Sequence, residues 1–361
     1  MAKTGTFPLT LFEKVLSRSH LPLTFGTLIF GLFTGPLGNF IYLYAVSNNL
    51  ANSLYRTFFS TVAVDSGSIN NFPINWHSLA GNLLWYLFLC YVAFLPNHIR
   101  SKLVDAEKEL LELAHNKKKD IKKNFKMISN ILPQLTITLV FLFVYSTAVP
   151  DLLVKGELNV FSSIIYVLRS FSRSLMFGSV LWLYCASLYG LYRFGKGELK
   201  FKSYTEDLML GTGKIGSISF SLSVAYFFGI TIFAAQMILG DIVSQNVTPV
   251  NILAMLFLVP FGVVLFMAPL ISIHKRMVEV KNAECTSTSK IISETINSYS
   301  EPGLNSADNM IKLMVLENVE KKANSIRTWP VESPVLGKLT IITLSVTATI
   351  IARIIQIIAK I

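Results

Sequence analysis

The chain of 361 residues is 52% hydrophobic and only 15% charged, and its formal net charge is +11. A soluble globular chain is nearer about 25% charged, so this composition excludes an ordinary soluble domain. The three cysteines, Cys90, Cys185 and Cys285, are isolated, which excludes a disulfide framework and a CxxC metal site.

The apolar residues gather into runs long enough to cross a hydrocarbon layer of roughly 30 Å. In chain order the runs fall at 22–45, 79–97, 132–149, 174–192, 217–239, 252–273 and 337–358. They predict an all-α polytopic integral membrane helix bundle of about seven transmembrane helices, with helical hairpins between some of them. Residues 1–21 precede the first run, carry Lys3, Glu13, Lys14 and Arg18, and lack the compact apolar stretch of a cleavable signal peptide. The first two spans with the loop between them occupy 22–97. Within the first, Gly31 and Gly35 form a GxxxG that lets helices approach closely. Pro36, with Gly38 and Asn39 beside it, marks either a packed kink or a break that turns backbone groups toward a pore or substrate.

Residues 98–131 read as a short helical hairpin. Leu103, Leu110, Leu113 and Ala114 space an apolar stripe along one arm, and Ile121, Phe125 and Ile128 continue it on the other, with a turn at Asn116–Asp120. Four central spans follow over 132–273. In the fourth of the seven, the apolar pattern begins at Val160, well before the span itself. Arg173 and Arg193 lie 20 residues apart, about 30 Å of helix, so they suit the two interfaces. Residues 160–172 then lie on the outer surface or extend the helix. Arg169 and Arg173 share one helix face among serines 162, 163, 170, 172 and 174. That pair can bind an anion or a lipid headgroup, or it can simply snorkel to the polar layer. Gly211-Thr212-Gly213-Lys214 imitates a phosphate loop, but Leu208 stands where its first glycine belongs and Ile215 replaces the magnesium-binding hydroxyl. The sixth span contains Pro260 and Pro269, which raise the same choice between packing and a functional kink as Pro36.

A longer hairpin is expected over 274–336. Val280, Ala283, Ile292 and Ile296 mark one arm, and Val315, Val319, Ala323 and Ile326 the other, with a break at Ser300-Glu301-Pro302-Gly303. The last span lies within 337–361. His98-Ile99-Arg100 and His274-Lys275-Arg276 follow the second and sixth spans in parallel, which reads either as a repeat of two three-span units joined by the fourth span or as the likeness any two hairpins between spans share. A metal or pH-sensing role for the two histidines competes with a plain interfacial one.

Charge sets the orientation. Lys and Arg number 26 in the segments placed inside and four outside, a strong positive-inside asymmetry. It predicts a cytosolic N-terminus, an outside C-terminus and an outside loop containing the glycosylation sequon Asn246-Val247-Thr248. The same asymmetry assigns the basic surface to anionic lipid headgroups. No basic patch interleaved with aromatics points to nucleic acid.

None of the seven spans contains Asp or Glu, which argues against a proton-coupled carrier and an intramembrane aspartyl protease. No HExxH or cofactor motif is present. The expected function is therefore a channel or passive transport protein with a cytosolic assembly or gating region. A scaffold or signalling component that binds a partner through the hairpins, and a lipid-modifying enzyme, are the alternatives. The partners are the bilayer and either a second copy of the chain or a cytosolic protein.

Arg327-Thr328-Trp329-Pro330, leading from a charged helix into the apolar run beginning at Val335, resembles a turn in mainly archaeal multi-span membrane proteins. That resemblance covers about a fifth of the chain and implies a prokaryotic cytoplasmic membrane, with no activity attached.

Overall fold

In an apolar surround a backbone N–H or C=O finds no water, so runs this apolar adopt the form that satisfies both groups internally. The architecture, from a computed structural model, describes residues 7–18, 23–47, 50–58, 76–115, 118–146, 160–244, 249–298 and 306–358. It is all-helical, and among the described residues the one β-type pairing is an isolated bridge between Ala114 and Leu199.

A short helix α1 (Leu11–Arg18) precedes α2 (Leu23–Leu32), which passes through a π-helical segment at Phe33–Leu37 into α3 (Gly38–Ser47). After α4 (Leu50–Phe58), α5 (Trp76–Asp105) leads into α6 (Glu107–Leu113), α7 (Lys118–Asn124) and a 3-10 turn at Lys126–Ser129. The chain continues through α8 (Ile131–Ser146), α9 (Val160–Lys196), α10 (Gly213–Ser244), α11 (Pro249–Ser298), α12 (Ser306–Asn324) and α13 (Ser333–Ile358).

Among the described residues five stretches are long and apolar enough to cross a membrane: Phe25–Ala45, Leu79–Asp105, Val160–Lys196, Gly213–Gln236 and Val259–Asn297. The runs at 132–149 and 337–358 appear as shorter apolar helices over Ile131–Phe143 and Pro334–Thr349. The expected seven long spans thus become five, with two shorter apolar helices, among the described residues. Helix α9 settles how residues 160–172 are used: they extend it into one helix of 37 residues, roughly 55 Å long.

That helix runs through the centre, packing on α8, α11, α3 and α5. Small residues make the close approaches possible. A Cβ on Gly178 would lie 2.5 Å from Thr138 Oγ1 and 2.9 Å from its backbone nitrogen on α8. Gly31 and Gly35 do the same for the first span against α5. A methyl at Gly31 would meet Cys90 Cα at 3.1 Å, and one at Gly35 would meet Tyr86 and Leu89 side chains at 3.6 Å.

At the end of the bundle that carries α6 and α7, all seven stripe residues from Leu103 to Ile128 are buried in one cluster with Leu183, Leu191 and Phe194 of α9 and Ile273 of α11. The stripe is real, but the two expected arms are four short pieces: the end of α5, α6, α7 and the 3-10 turn. Trp182 Nε1 ties this cap to α9 by donating to the Met127 carbonyl at 3.1 Å. The 197–212 loop closes over the cap. Lys200 N–H donates to Leu113 O, and Arg327 N–H donates to Leu208 O. Exposed Lys202 pairs with Glu112 at 3.0 Å. The hydrogen bond and charge of Lys202 hold the Glu112 carboxyl below its ordinary value, and those of Glu112 hold the Lys202 ammonium above its own. Because both groups are solvated, the pair contributes little.

The longer hairpin departs further from expectation. Helix α11 continues unbroken for 50 residues, and α12 packs back on it. Ala323 and Ile326 are buried and Val280 packs on the core, whereas Ala283 is exposed and Ile292 and Val319 are half-buried. Toward the far end Ile296 (52%), Ile311 (60%), Met314 (65%) and Val315 (56%) are exposed. The stripe is therefore covered only at its base. The break at Ser300–Gly303 and the sequon at Asn246 lie outside the described residues.

Candidate functional site

The first span loses its regular hydrogen bonding where Pro36 removes an N–H. Gly35 takes φ −97°, ψ −115°, outside the helical region, and the Gly38 N–H turns to the Gly35 carbonyl. In a regular helix that N–H would serve Thr34. The Thr34 carbonyl is instead taken by Arg173 Nε, which donates to it at 2.7 Å from α9. The Thr34 hydroxyl donates back to Phe30 O at 2.9 Å. Two features singled out separately in the sequence, the Gly35-Pro36 break and the arginine pair, are thus one structure.

Arg169, one turn further along α9, lies against the same break. A methyl on Gly38 would sit 3.6 Å from Arg169 Cδ. The Arg169 guanidinium carbon stands 5.9 Å from the centre of the Tyr42 ring, a cation–π distance. Its Nε is buried and meets no acceptor among the described residues. Nor does Arg169 form an ion pair among them. Across the site, Asn39 Nδ2 donates to Tyr86 Oη at 3.0 Å, and the Tyr86 hydroxyl donates to Thr57 O at 2.7 Å. The result is a polar patch of two guanidiniums, a carboxamide and a phenol inside an apolar bundle.

Simple snorkelling does not describe Arg173, because its guanidinium is bonded to backbone of the neighbouring span. Pro260 is exposed and Pro269 is buried, and both lie within α11, which runs on through them. The Pro269 carbonyl accepts from the Ser272 hydroxyl at 3.0 Å, so Pro269 belongs to packing. The two His-x-Arg triplets sit in unlike surroundings. His98 Nε2 is 3.5 Å from Ser221 Oγ. His274 donates from Nδ1 to Thr328 O at 2.7 Å and stacks on Trp329 at 4.1 Å. In the Gly211–Lys214 segment, the backbone N–H groups of Met209 and Gly211 go to the Asp207 carboxylate at 2.9 and 2.8 Å, so the turn serves its own side chain rather than a phosphate. Among the described residues no three His, Cys, Asp or Glu side chains gather where a metal could bind.

Compared with protein-family models, with curated proteins and with solved structures, the chain matches none. The site must therefore be read from its own geometry.

One constellation was not anticipated. Arg100 Nε donates to Glu13 Oε1 at 2.9 Å and Arg100 Nη2 to Glu13 Oε2 at 2.6 Å. The remaining donors serve the carbonyls of Phe7 and Pro8. Both side chains are essentially inaccessible, at 4% and 1% exposure. Glu13 also accepts from the Thr10 N–H at 2.8 Å, while the Thr10 hydroxyl receives the Glu13 N–H at 3.3 Å. This is a capping box, and Thr10-Leu11-Phe12-Glu13 was its legible signal.

Proposed function

We propose that the chain is a seven-span channel or passive transport protein of a cytoplasmic membrane that admits an anionic solute beside the broken first span. The observation that carries this reading is Arg169: a half-buried cation whose buried Nε meets no acceptor among the described residues, next to a second arginine and an opened backbone. An ionisable residue at such a position marks a functional site by default, and discontinuous helices are where membrane proteins build solute sites. The depth fits. Trp182 bonds the turn that precedes α8, and indoles anchor at the interface. Arg173 lies nine residues from Trp182 on α9, roughly 14 Å along the helix and so inside a roughly 30 Å layer, deeper than the outer interface that its spacing from Arg193 suggested. The solute's charge meets Arg169 and Arg173, and the Asn39 amide, held by Tyr86, supplies a neutral polar contact. The absence of Asp and Glu from the seven segments supports passive movement over proton coupling. The cap formed by residues 99–131 and the 197–212 loop lies on the cytosolic side and controls that mouth. The Trp329-Pro330 turn fits a prokaryotic setting.

The test is anion flux from phosphatidylcholine proteoliposomes loaded with chloride, nitrate or phosphate. The parent should release at least one of these above protein-free vesicles. Arg169→Gln should abolish that release, and Arg169→Lys should restore it only partly, because an ammonium lacks the planar fork. No release from the parent, or equal release from Arg169→Gln, refutes the reading.

A second reading is favoured by a separate observation, the exposed apolar side chains of Ile296, Ile311, Met314 and Val315 on the long hairpin. Such a patch suits a scaffold that docks a second copy or a cytosolic protein. Stable self-association lost in Met314→Asp would support it.

The orientation is tested independently. In a cysteine-free background, an impermeant thiol reagent applied outside should label Cys introduced at Asn246 and spare Cys introduced at Lys118. Labelling at Lys118 in intact cells would invert the topology.

A further inference from the structure

A second cationic feature lies at the other end of α9, away from the Arg169 patch. A cavity of about 660 Å³ opens where α7 and the 3-10 turn meet the start of α8, lined by Lys123, Lys126, Ser129, Asn130, Leu132 and Arg193 among others. All of its charged lining is positive. Lys123, Lys126 and Arg193 are exposed and form no ion pair among the described residues. Asn130 Oδ1 accepts the Leu132 N–H at 3.3 Å.

The cavity does not stand alone. Directly above it on α8, Leu132 (75% exposed), Leu135, Leu139 and Phe143 (71%) form one continuous apolar face. Their spacing of three, four and four residues keeps them on one side of the helix. From Leu132 to Phe143 the face runs roughly 16 Å, about half a hydrocarbon layer, or one leaflet. Trp182, bonded to the turn that lines the cavity, sets the boundary between the two parts at the interface. A ligand that matches both parts carries a phosphate at one end and acyl chains of one leaflet's length at the other.

We propose that Lys123, Lys126 and Arg193 form a headgroup site for one anionic phospholipid of the cytosolic leaflet, whose acyl chains lie along the Leu132–Phe143 face of α8. A basic recess at the inner end of membrane helices is the chemistry such lipids require. A free phosphate would satisfy the three cations and leave the apolar face unused. The site is separate from the Arg169 patch, so either can fail without the other.

The test uses native mass spectrometry of the purified full chain titrated with dioleoyl phosphatidylglycerol, with dioleoyl phosphatidylcholine as the zwitterionic comparison. The parent should retain one phosphatidylglycerol under activation that strips phosphatidylcholine. The triple variant K123Q/K126Q/R193Q should bind it about a hundredfold more weakly, at roughly fivefold per basic group. A charge-matched control at exposed positions outside the cavity, K118Q/K122Q/K200Q, should bind within about twofold of the parent. The charge-preserving triple K123R/K126R/R193K should retain the lipid, which separates loss of charge from loss of fold. A fourth variant, L132Q/L139Q, keeps every charge and should lose long-chain phosphatidylglycerol while keeping the dihexanoyl form. Equal weakening in the cavity and control triples, or unchanged binding in the cavity triple, overturns the proposal. So does displacement of the lipid by inorganic phosphate bound one per chain, which would make the occupant a soluble anion.

Discussion

Replacing Glu13 by alanine should destabilise the protein by about 3–5 kcal/mol, the cost of leaving a buried charge without its partner. Arg100 would keep its bonds to the Phe7 and Pro8 carbonyls but lose both carboxylate contacts in a site closed to water. The capping box of α1 would go as well, a further loss of about 1 kcal/mol. The effect should spread beyond α1. Phe7 packs edge-on against Phe125 of the cap, and Phe12 against Phe30 of the first span, each at 5.0 Å between ring centres. The Leu11 N–H donates to Gln134 Oε1, and Gln134 Nε2 donates to Ile128 O. One buried acid therefore holds the N-terminal segment, the cap and the start of α8 together. Melting of the detergent-solubilised protein, followed by loss of the monodisperse peak, measures the effect. Arg100→Met alone should be comparably harmful, whereas Glu13→Leu with Arg100→Met should recover much of the loss, because no charge then remains buried. Single variants that melt with the parent, or a double variant showing the plain sum of the two losses, would disprove the coupling.

Gly216→Ala should cost about 1–3 kcal/mol through overpacking. Gly216 lies in the first turn of α10, and a Cβ there would fall on the Pro330 carbonyl oxygen and within 3.0 Å of Val331 Cγ2. Backbone cannot swing aside as a flexible side chain can, so the Trp-Pro turn itself must move. That turn is held from two sides, by the His274 ring stacked on Trp329 and by Lys281, whose ammonium caps α12 through Asn324 O at 2.6 Å and Ile326 O at 3.0 Å. Loosening it should expose the peptide bond after Arg327, whose N–H is otherwise bonded to Leu208 O. Trypsin should then cut after Arg327 faster in Gly216→Ala than in the parent. Gly337→Ala provides the control. Nothing lies within 4 Å of its added methyl, and alanine is the better helix former by about 1 kcal/mol. Equal cleavage in the two variants would mean that the turn tolerates the methyl.

The sequence by itself determined whatever depends on local periodicity. Apolar runs of membrane length became helices because a buried backbone has no other way to bond. Spacing already put the stripe from Leu103 to Ile128 on one face, and packing on α9 and α11 buries it throughout. Gly31 and Gly35 announced a close approach without saying to what. Only the tertiary structure named Cys90, Tyr86 and Leu89 of α5 as the surface they meet. The same limit applies to the long hairpin. Spacing gave Ile296 and Val315 an apolar face, but whether a face is covered depends on where the chain brings its neighbours, and here it brings none to that end among the described residues. Glu13 with Arg100 and Thr34 with Arg173 are separated by 87 and 139 residues, so no spacing rule joins them. Their pairing follows from packing: α9 lies at the centre of the bundle, and Arg173 takes the carbonyl that the break around Gly35 and Pro36 left free.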